Sequence, residues 1–213
     1  MLFRSTISVV QALIQANTSS PFLTLIKHDV NKGVCAAKNT GARAARGSWI
    51  IFLDSDDELI PESYSKVCAA LKDNEKYPIH FFSCLTENYA EGSGSIKTEI
   101  INFKQYIQTG TGGEKLPVLK KSVFSQYFYD EDMPGYEGLA YMRIIKMYGF
   151  ACIYDLPVRR YYTSNQDRLS ARSGLWKRSG RLAIGHLRVL AEHHRSMGLL
   201  SILMYGLRFT KSM

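Results

Sequence analysis

A run of five apolar residues followed at once by acidic residues constrains this chain more than any other feature. The run is Trp49 to Leu53, and Asp54-Ser55-Asp56-Asp57 follows it directly. An apolar run of this length without alternation is typical of a strand buried on both faces of a sheet. The sequence therefore predicts a buried strand over 49–53 that brings a cluster of carboxylates to its C-terminal end.

Helix and strand patterns alternate on both sides of this run. Helix patterns cover residues 7–14, 34–46, 61–71, 102–108 and 136–148, and strand patterns cover 22–26, 79–82, 118–124 and 150–154. Gly47 and Gly149 stand where two of the helices should end. Such alternation predicts an α/β domain over residues 1–171, with a mostly parallel sheet and flanking helices.

The positive charge is concentrated in a C-terminal tail, residues 172–213. This tail holds eight of the 27 Lys and Arg residues but only one of the 19 Asp and Glu residues. Its apolar residues are mainly aliphatic, whereas nucleic-acid surfaces interleave basic residues with stacking aromatics, so we do not expect a nucleic-acid partner. Two interpretations stay open for a basic amphipathic helical tail: peripheral contact with a membrane surface, or packing on the domain's own core.

Cysteine usage and hydropathy bear on the compartment. The four cysteines are scattered without a close pair, which favours a reducing compartment and suggests neither a zinc site nor a disulfide framework. No stretch approaches the ~20 apolar residues that span a bilayer. We therefore expect a cytoplasmic location, with peripheral attachment to the cytoplasmic face of the inner membrane as an option.

The acidic cluster after the 49–53 run has two physical interpretations. Like charges so close together repel and raise one another's pKa, so the cluster is costly unless a cation binds there. Ligands of open α/β sheets sit at this end of the strands, and carboxylates beside a phosphate suit Mg²⁺ or Mn²⁺. The alternative is a solvated acidic turn before Pro61.

Several spacings around the cluster agree with one known pattern. Residues 31–33 read Asn-Lys-Gly, residues 37–41 read Ala-Lys-Asn-Thr-Gly, and 45–57 run from Ala-Arg-Gly-Ser-Trp to Leu-Asp-Ser-Asp-Asp. This arrangement resembles the central signature of family-2 glycosyltransferases of the GT-A fold, N-x-G, A-R-N-x-G and A-x-G-x-(apolar run)-L-D-x-D-D. Lys38 replaces the customary arginine.

The resemblance implies roles for the residues of these motifs. Asp54-Ser55-Asp56 would be the D-x-D element, with Asp56 and Asp54 on a Mn²⁺ or Mg²⁺ ion that bridges the donor diphosphate. Asp54 and Asp57 would also support the nucleotide ribose, and Lys38 and Asn39 would lie near the nucleotide. A bound divalent cation stabilises the charge that grows on the departing nucleoside diphosphate. For Asn39, hydrogen bonding within the helix region is the alternative.

A second, weaker match lies further along the chain. Residues 128–131 and 135–143 are similar to the family's F-D-E and E-D-x-x-L-x-x-R elements, which places Glu137 where the family has its catalytic base. Asp130 and Glu131 are alternates, and a carboxylate that answers the helix dipole is the structural interpretation of Glu137. The chain has no Q-x-x-R-W sequence, which favours single sugar addition over processive synthesis.

Three rival classes of protein share features with this sequence. A phosphatase of the haloacid-dehalogenase type also has a strand ending in Asp-x-Asp, but Glu58 stands where its Thr belongs. A calcium loop is excluded because Leu59 occupies the position that requires Gly. A basic interaction module without catalysis is the non-enzyme alternative.

The resemblance also sets an expectation about the start of the domain. Family members place two strands and an Asp-Asp-Gly-Ser element before the N-x-G motif, whereas only residues 1–31 lead up to it here. We therefore expect a domain without its first strands, an inactive remnant being one alternative, and a strand 49–53 with an exposed edge. The function implied is inverting, metal-dependent sugar transfer from a nucleotide-sugar to a sugar or lipid-linked saccharide acceptor, in bacterial surface polysaccharide assembly.

Overall fold

The computed structural model describes residues 3–16, 23–86, 97–161 and 179–212. The helices are α1 (Phe3–Ala16), α2 (Gly33–Ala44), α3 (Tyr64–Asp73), α4 (Phe103–Thr109), α5 (Lys121–Phe124), α6 (Gly138–Tyr148), α7 (Ser179–His193) and α8 (Leu199–Ser212). The strands are β1 (Trp49–Ile51), β2 (Asp57–Leu59), β3 (Ile79–Thr86), β4 (Thr98–Asn102), β5 (Lys115–Lys120) and β6 (Phe150–Tyr161). The predicted helices are all present, with shifted ends.

The strands form one six-stranded sheet in the order β1-β5-β3-β6-β2, with β4 also paired to β6. The α/β class is confirmed, but the prediction of a mostly parallel sheet is wrong. Among the described strands only β3 and β6 pair in parallel, and the other pairs are antiparallel. The reason is that β5, which comes later in the chain, inserts between β1 and β3 in the opposite direction.

Strand β6 organises the sheet around the acidic cluster. It pairs with β3 along one edge, and along the other it pairs first with β4 and then with β2. In this second register Asp57 lies opposite Tyr161, and Leu59 opposite Arg159. The residues that follow the 49–53 run are thus held by the far end of β6.

Strand β1 is shorter and less buried than predicted. It ends at Ile51, and of its three residues only Ile50 is buried. Ile51 is 36% exposed and Leu53 is 43% exposed, so the prediction of burial on both faces is wrong. The physical reason is that β1 ends the strand order and pairs with β5 alone among the described strands.

Other differences concern short segments. Residues 23–26 of the predicted 22–26 strand form no strand, and residue 22 lies outside the described ranges. The predicted strand 118–124 divides into the end of β5 and the short helix α5. Strands β2 and β4 were missed, since neither shows an apolar run or a clear alternation.

The tail helices belong to the body of the molecule. Val189 of α7 and Tyr205 of α8 are buried in the same apolar cluster as Phe81 of β3 and Ile145 of α6. A second, smaller cluster packs α3 against the opposite side of the sheet. The described part of the tail, 179–212, is helical as predicted, and residues 172–178 lie outside the described ranges.

Candidate functional site

The acidic cluster forms a tight turn between β1 and β2. The backbone N–H of Asp57 donates to the carbonyl of Asp54 at 3.1 Å, which closes the turn immediately before β2 begins. Asp54 pairs with Lys38 of α2, with 3.0 Å between Nζ and Oδ1. The sequence-predicted Lys38 and Asp54 are therefore brought together, and Lys38 places a positive charge at the C-terminal end of β1.

Asp57 points the other way, into the protein. Its side chain is only 2% exposed and accepts a hydrogen bond from Arg159 Nη1 at 2.9 Å. Burial raises the pKa of the Asp57 carboxyl, although the charge of Arg159 opposes the rise. Arg159 Nη2 also contacts Glu114 at 2.6 Å, so this buried cation joins β6, β2 and the start of β5.

Asp56 is the acid of the turn that faces solvent. Among the described residues, no group of three or more His, Cys, Asp and Glu side chains is arranged to hold a metal ion on its own. This fits the way Mg²⁺ is usually bound, through one or two carboxylates with phosphate and water completing the shell. The Asp54 and Asp56 carboxylates supply hard oxygen donors of the right kind and number.

A groove of about 530 Å³ runs beside the turn, between α2 and β1. Its α2 side carries Ala37, Lys38 and Gly41, and its other side is formed by β1 together with Leu53, Asp54 and Ser55. The small residues on α2 leave room next to the strand. The groove is apolar along its length and charged at the end where Lys38 and Asp54 meet.

Asn39 connects this region to the second motif. Its side chain is buried and donates to the Tyr129 carbonyl at 2.9 Å and to Glu131 Oε1 at 3.0 Å. Its Oδ1 accepts the Tyr129 backbone N–H at 3.0 Å. Asn39 therefore joins α2 to segment 128–131 instead of bonding within its own helix, and its predicted closeness to a nucleotide stays a prediction.

Asp130 lies in a network of arginines. Arg143 of α6 contacts both of its carboxylate oxygens, at 2.8 and 2.9 Å, and Arg188 of α7 contacts it at 3.1 Å. Burial alone would raise the pKa of Asp130, but hydrogen bonds and charge from the two arginines lower it. Asp130 therefore stays ionised and occupied, which suits a structural acid better than a base.

Glu137 immediately precedes α6 and is half-buried. Its Oε1 lies 3.8 Å from the Sγ of the buried Cys35, whose pKa burial and the charge of Glu137 raise to about 12. No cation pairs with Glu137 in the described part of the chain. Of the three carboxylates proposed for the base, Glu137 is the one left without an arginine or an amide partner.

One tyrosine places the two motifs in the same neighbourhood. Tyr129 is buried and its ring packs against Phe52, next to the acidic turn. Burial raises the pKa of the Tyr129 hydroxyl, and the negative charges of Glu137 and Asp54 raise it further. Both predicted acids therefore act on one side chain, although 83 positions separate residues 54 and 137 in the sequence.

Sequence reasoning missed Arg159, Glu114 and Tyr129. The partners of Arg159 are 102 and 45 positions away, a separation at which no periodicity or motif spacing carries information. The signal that could have found Arg159 was the third acid of the turn, since an acid entering a strand needs a buried cation.

Residues 4–128 match the family described as "Glycosyl transferase family 2". This match covers more than half of the chain and includes the acidic turn, α2 and β1, together with Phe128 at the start of the second motif. The chain therefore belongs to glycosyltransferase family 2.

Curated relatives agree with this assignment. The chain is 28% identical over 186 residues to a GalNAc(5)-diNAcBac-PP-undecaprenol beta-1,3-glucosyltransferase of Campylobacter jejuni, covering 84% of this chain and 58% of that protein. It is 27% identical over 119 residues to an uncharacterized glycosyltransferase of Haemophilus influenzae, covering 54% of this chain and 40% of that protein. The chain thus spans about half the length of these relatives.

Solved structures support the fold. TarS 1-349 of S. aureus in complex with UDP-GlcNAc aligns with a TM-score of 0.62 at 11% identity, over 95% of this chain and 58% of that one. The UDP complex aligns with a TM-score of 0.60. This likeness confirms the GT-A type of fold.

No described helix is both long and apolar enough to cross a membrane.

Proposed function

We propose that this chain carries the metal and acceptor-side elements of a transferase that moves a sugar from a nucleotide-sugar donor to an acceptor hydroxyl, with inversion. The observation that carries the proposal is the turn at the end of β1. There Asp56 faces solvent, Asp54 meets Lys38, and a groove opens alongside. A strand end with carboxylates beside a lysine suits a diphosphate with a divalent cation.

Asp54 and Asp56 would hold Mn²⁺ or Mg²⁺, which when bound supplies a Lewis acid for the departing nucleoside diphosphate. Lys38 lies 3.0 Å from Asp54 and would place its ammonium on the same phosphates. Asp57 supports the turn from within through Arg159, so a role for Asp57 on the ribose requires its side chain to leave that pair.

Glu137 is the proposed general base that takes the proton of the acceptor hydroxyl as its oxygen attacks the anomeric carbon. Among the three candidate acids, Asp130 is held by Arg143 and Arg188, and Glu131 accepts from Asn39. Glu137 has no cationic or amide partner among the described residues, and the Cys35 thiol donates to its Oε1 at 3.8 Å.

The acceptor is proposed to be a saccharide in lipid-linked form, because the Campylobacter jejuni relative is named as a glucosyltransferase of an undecaprenol-linked saccharide. A further relative, from Escherichia coli, is described as a putative colanic acid biosynthesis glycosyl transferase. These names, together with the family, support a role in bacterial surface polysaccharide assembly at the cytoplasmic face of the inner membrane.

Helix α8 offers a surface for that membrane. Ser201 and Tyr205 face the body, and the opposite side exposes four leucines, Leu199, Leu200, Leu203 and Leu207. Lys211 is exposed beside them, whereas Arg208 lies over the Tyr205 ring, 5.0 Å from its centroid. A leucine face with a basic residue at its border is what interfacial helices present to anionic lipid. We therefore propose that α8 rests on the bilayer surface.

The donor proposal is tested with a panel of nucleotide-sugars by thermal unfolding, with Mn²⁺ and with EDTA. At a hundredfold excess of a true donor over its dissociation constant, the shift corresponds to ~2.7 kcal/mol. We expect one class of nucleotide-sugar to stabilise the protein, and to do so only when Mn²⁺ is present. Equal stabilisation in EDTA removes the metal role, and an aspartyl-phosphate at Asp54 supports the phosphatase class instead.

The membrane proposal is tested by co-sedimentation with phosphatidylglycerol vesicles. Deleting the tail would also remove Val189 and Tyr205 from the core, so point variants are the better probe. Replacing Leu203 and Leu207 together by Asp should abolish pelleting, while Tyr64→Asp, at an exposed site on α3, should not. Unchanged pelleting of the Leu203 and Leu207 variant contradicts the proposal.

A further inference from the structure

Tyr136, the residue just before the proposed base, packs against Gly185 of the tail. The ring of Tyr136 lies against Gly185 of α7, where an added Cβ would come within 2.6 Å of two ring carbons and 2.9 Å of Cγ. Cγ is the root of the ring, so the clash is not relieved by a small motion of a flexible end. No other residue type fits at position 185 while Tyr136 stays in place.

Two further contacts join α7 to the same segment. The Tyr136 hydroxyl lies 2.7 Å from His186 Nδ1, and the two rings meet edge to face. Arg188, one turn of helix from Gly185, contacts Asp132 at 2.6 Å and Asp130 at 3.1 Å. Helix α7 therefore touches segment 130–136 at both of its ends.

This segment determines how α6 begins. The Tyr136 carbonyl accepts the N–H of Leu139, and the Glu137 carbonyl accepts the N–H of Ala140. These are the first backbone bonds at the start of α6, and Glu137 sits between them with helical dihedral angles. A shift of the Tyr136 backbone would therefore move the adjacent backbone that carries the Glu137 side chain.

We infer that α7 is a positioning element for Glu137, with Gly185, His186 and Arg188 as the positioning residues. The inference rests on the proposed function only in naming Glu137 as the base. A displacement of about 1 Å at a reacting group can cost about 10²-fold in rate, which makes the seating of Tyr136 consequential for transfer. The basic tail is then part of the catalytic module as well as a lipid-facing surface.

The test compares Gly185→Ala with Gly206→Ala. Gly206 lies within α8, and an added Cβ there would meet nothing within 4 Å. Both substitutions add the same methyl group and improve helix propensity, so they differ in the contact with Tyr136. Tyr136→Phe is a third variant, which removes the hydroxyl bond to His186 without adding volume and serves if Gly185→Ala does not fold.

The primary measurement is amide hydrogen exchange of residues 133–140 at constant temperature. We expect Gly185→Ala to speed exchange there by about tenfold or more and Tyr136→Phe to speed it less, while Gly206→Ala leaves it unchanged. Unchanged exchange in both Gly185→Ala and Tyr136→Phe overturns the inference. Faster exchange spread evenly over the whole chain also overturns it, because that pattern reports global destabilisation.

Kinetics separate this inference from the proposed function. With a donor identified by the panel above, Gly185→Ala should lower kcat at least about tenfold with the donor KM within about twofold, because the base is moved while donor binding is intact. A rise in donor KM at constant kcat contradicts the positioning role. Absence of transfer by the unmodified protein refutes the proposed function. The exchange experiment still tests whether the packing of Tyr136 on Gly185 orders residues 133–140.

Discussion

The turn after β1 and the segment before α6 both carry acids, yet the protein treats them differently. In the turn, Asp54 is 46% exposed in its pair with Lys38, and Asp56 faces solvent. In the segment, Asp130 is 21% exposed and lies between two arginines. The first region keeps negative charge available for a ligand, whereas the second uses most of its charge to hold its own shape.

The difference explains which acids can do chemistry. Asp57 and Asp130 form ion pairs with buried or half-buried arginines, so their role is structural. Asp56 and Glu137 have no cationic partner among the described residues; Asp56 adjoins Asp57 in the chain, and Glu137 lies in the same segment as Asp130. We infer that each region pairs a structural acid with a functional one, and the following predictions test that division.

The largest effect is expected at Glu137. Glu137→Gln keeps the size of the side chain and removes the proton acceptor, so kcat should fall by about 10²–10⁴ while donor binding persists. Steady-state kinetics with saturating donor measure this effect. The control is Glu131→Gln, which alters the acid that already bonds to Asn39 and should change kcat far less. A larger loss of kcat in Glu131→Gln than in Glu137→Gln would assign the role of general base to Glu131.

The second effect concerns stability in the segment before α6, where arginines hold Asp130. Arg143→Met leaves Asp130 with part of its charge unpaired in a half-buried position and also removes the partner of Glu192, which Arg143 contacts at 2.7 Å. The free energy of unfolding should therefore fall by about 1–3 kcal/mol. Urea unfolding at neutral pH measures the loss. Asp130→Asn combined with Arg143→Met should recover part of it, and a double variant less stable than Arg143→Met would contradict the account.

Asp130 also gives the wild-type protein an acid dependence. Its pKa is lowered in the folded state, so its contribution to stability is present above the unfolded pKa of ~3.9 and is lost as the pH falls through the folded value. Arg143→Met should reduce this loss, because the folded pKa returns toward the ordinary range. An unfolding profile between neutral and acid pH that is parallel in both proteins would show that Asp130 contributes nothing.

The smallest effect on stability is expected in the turn after β1. Lys38→Met breaks a pair whose acid is nearly half exposed, and such pairs contribute ~0–1 kcal/mol. Urea unfolding should therefore change little, even though the same substitution weakens binding of a nucleoside diphosphate. A loss of stability as large as that of Arg143→Met would remove the contrast between the two regions.

The sequence predicted the elements whose signals are local. Helix α2 shows its small residues and α6 ends at Gly149, which has a positive φ of 92°. The acidic turn was found because an apolar run ends there. These features are visible within a window of about a dozen residues, where periodicity and end signals operate.

The sequence could not predict what depends on distant partners. The insertion of β5 between β1 and β3 changes the sheet from parallel to mixed, and no local pattern reveals strand order. Arg159 finds Asp57 across 102 positions, and Tyr136 meets Gly185 across 49. No local pattern marks Gly185, and the neighbouring Tyr136 ring explains why the residue has no side chain.

The most direct test of the central claim is metal-dependent ligand binding at the solvent-facing acid. Thermal unfolding is measured for the wild type, Asp56→Asn and Glu58→Gln, with the donor's nucleoside diphosphate and Mn²⁺. Asp56→Asn should keep the fold and lose the ligand-induced shift, while Glu58→Gln, an exposed acid outside the turn, should retain it. A shift that survives in Asp56→Asn, or one that appears equally in EDTA, would contradict the assignment of the turn as the metal and diphosphate site.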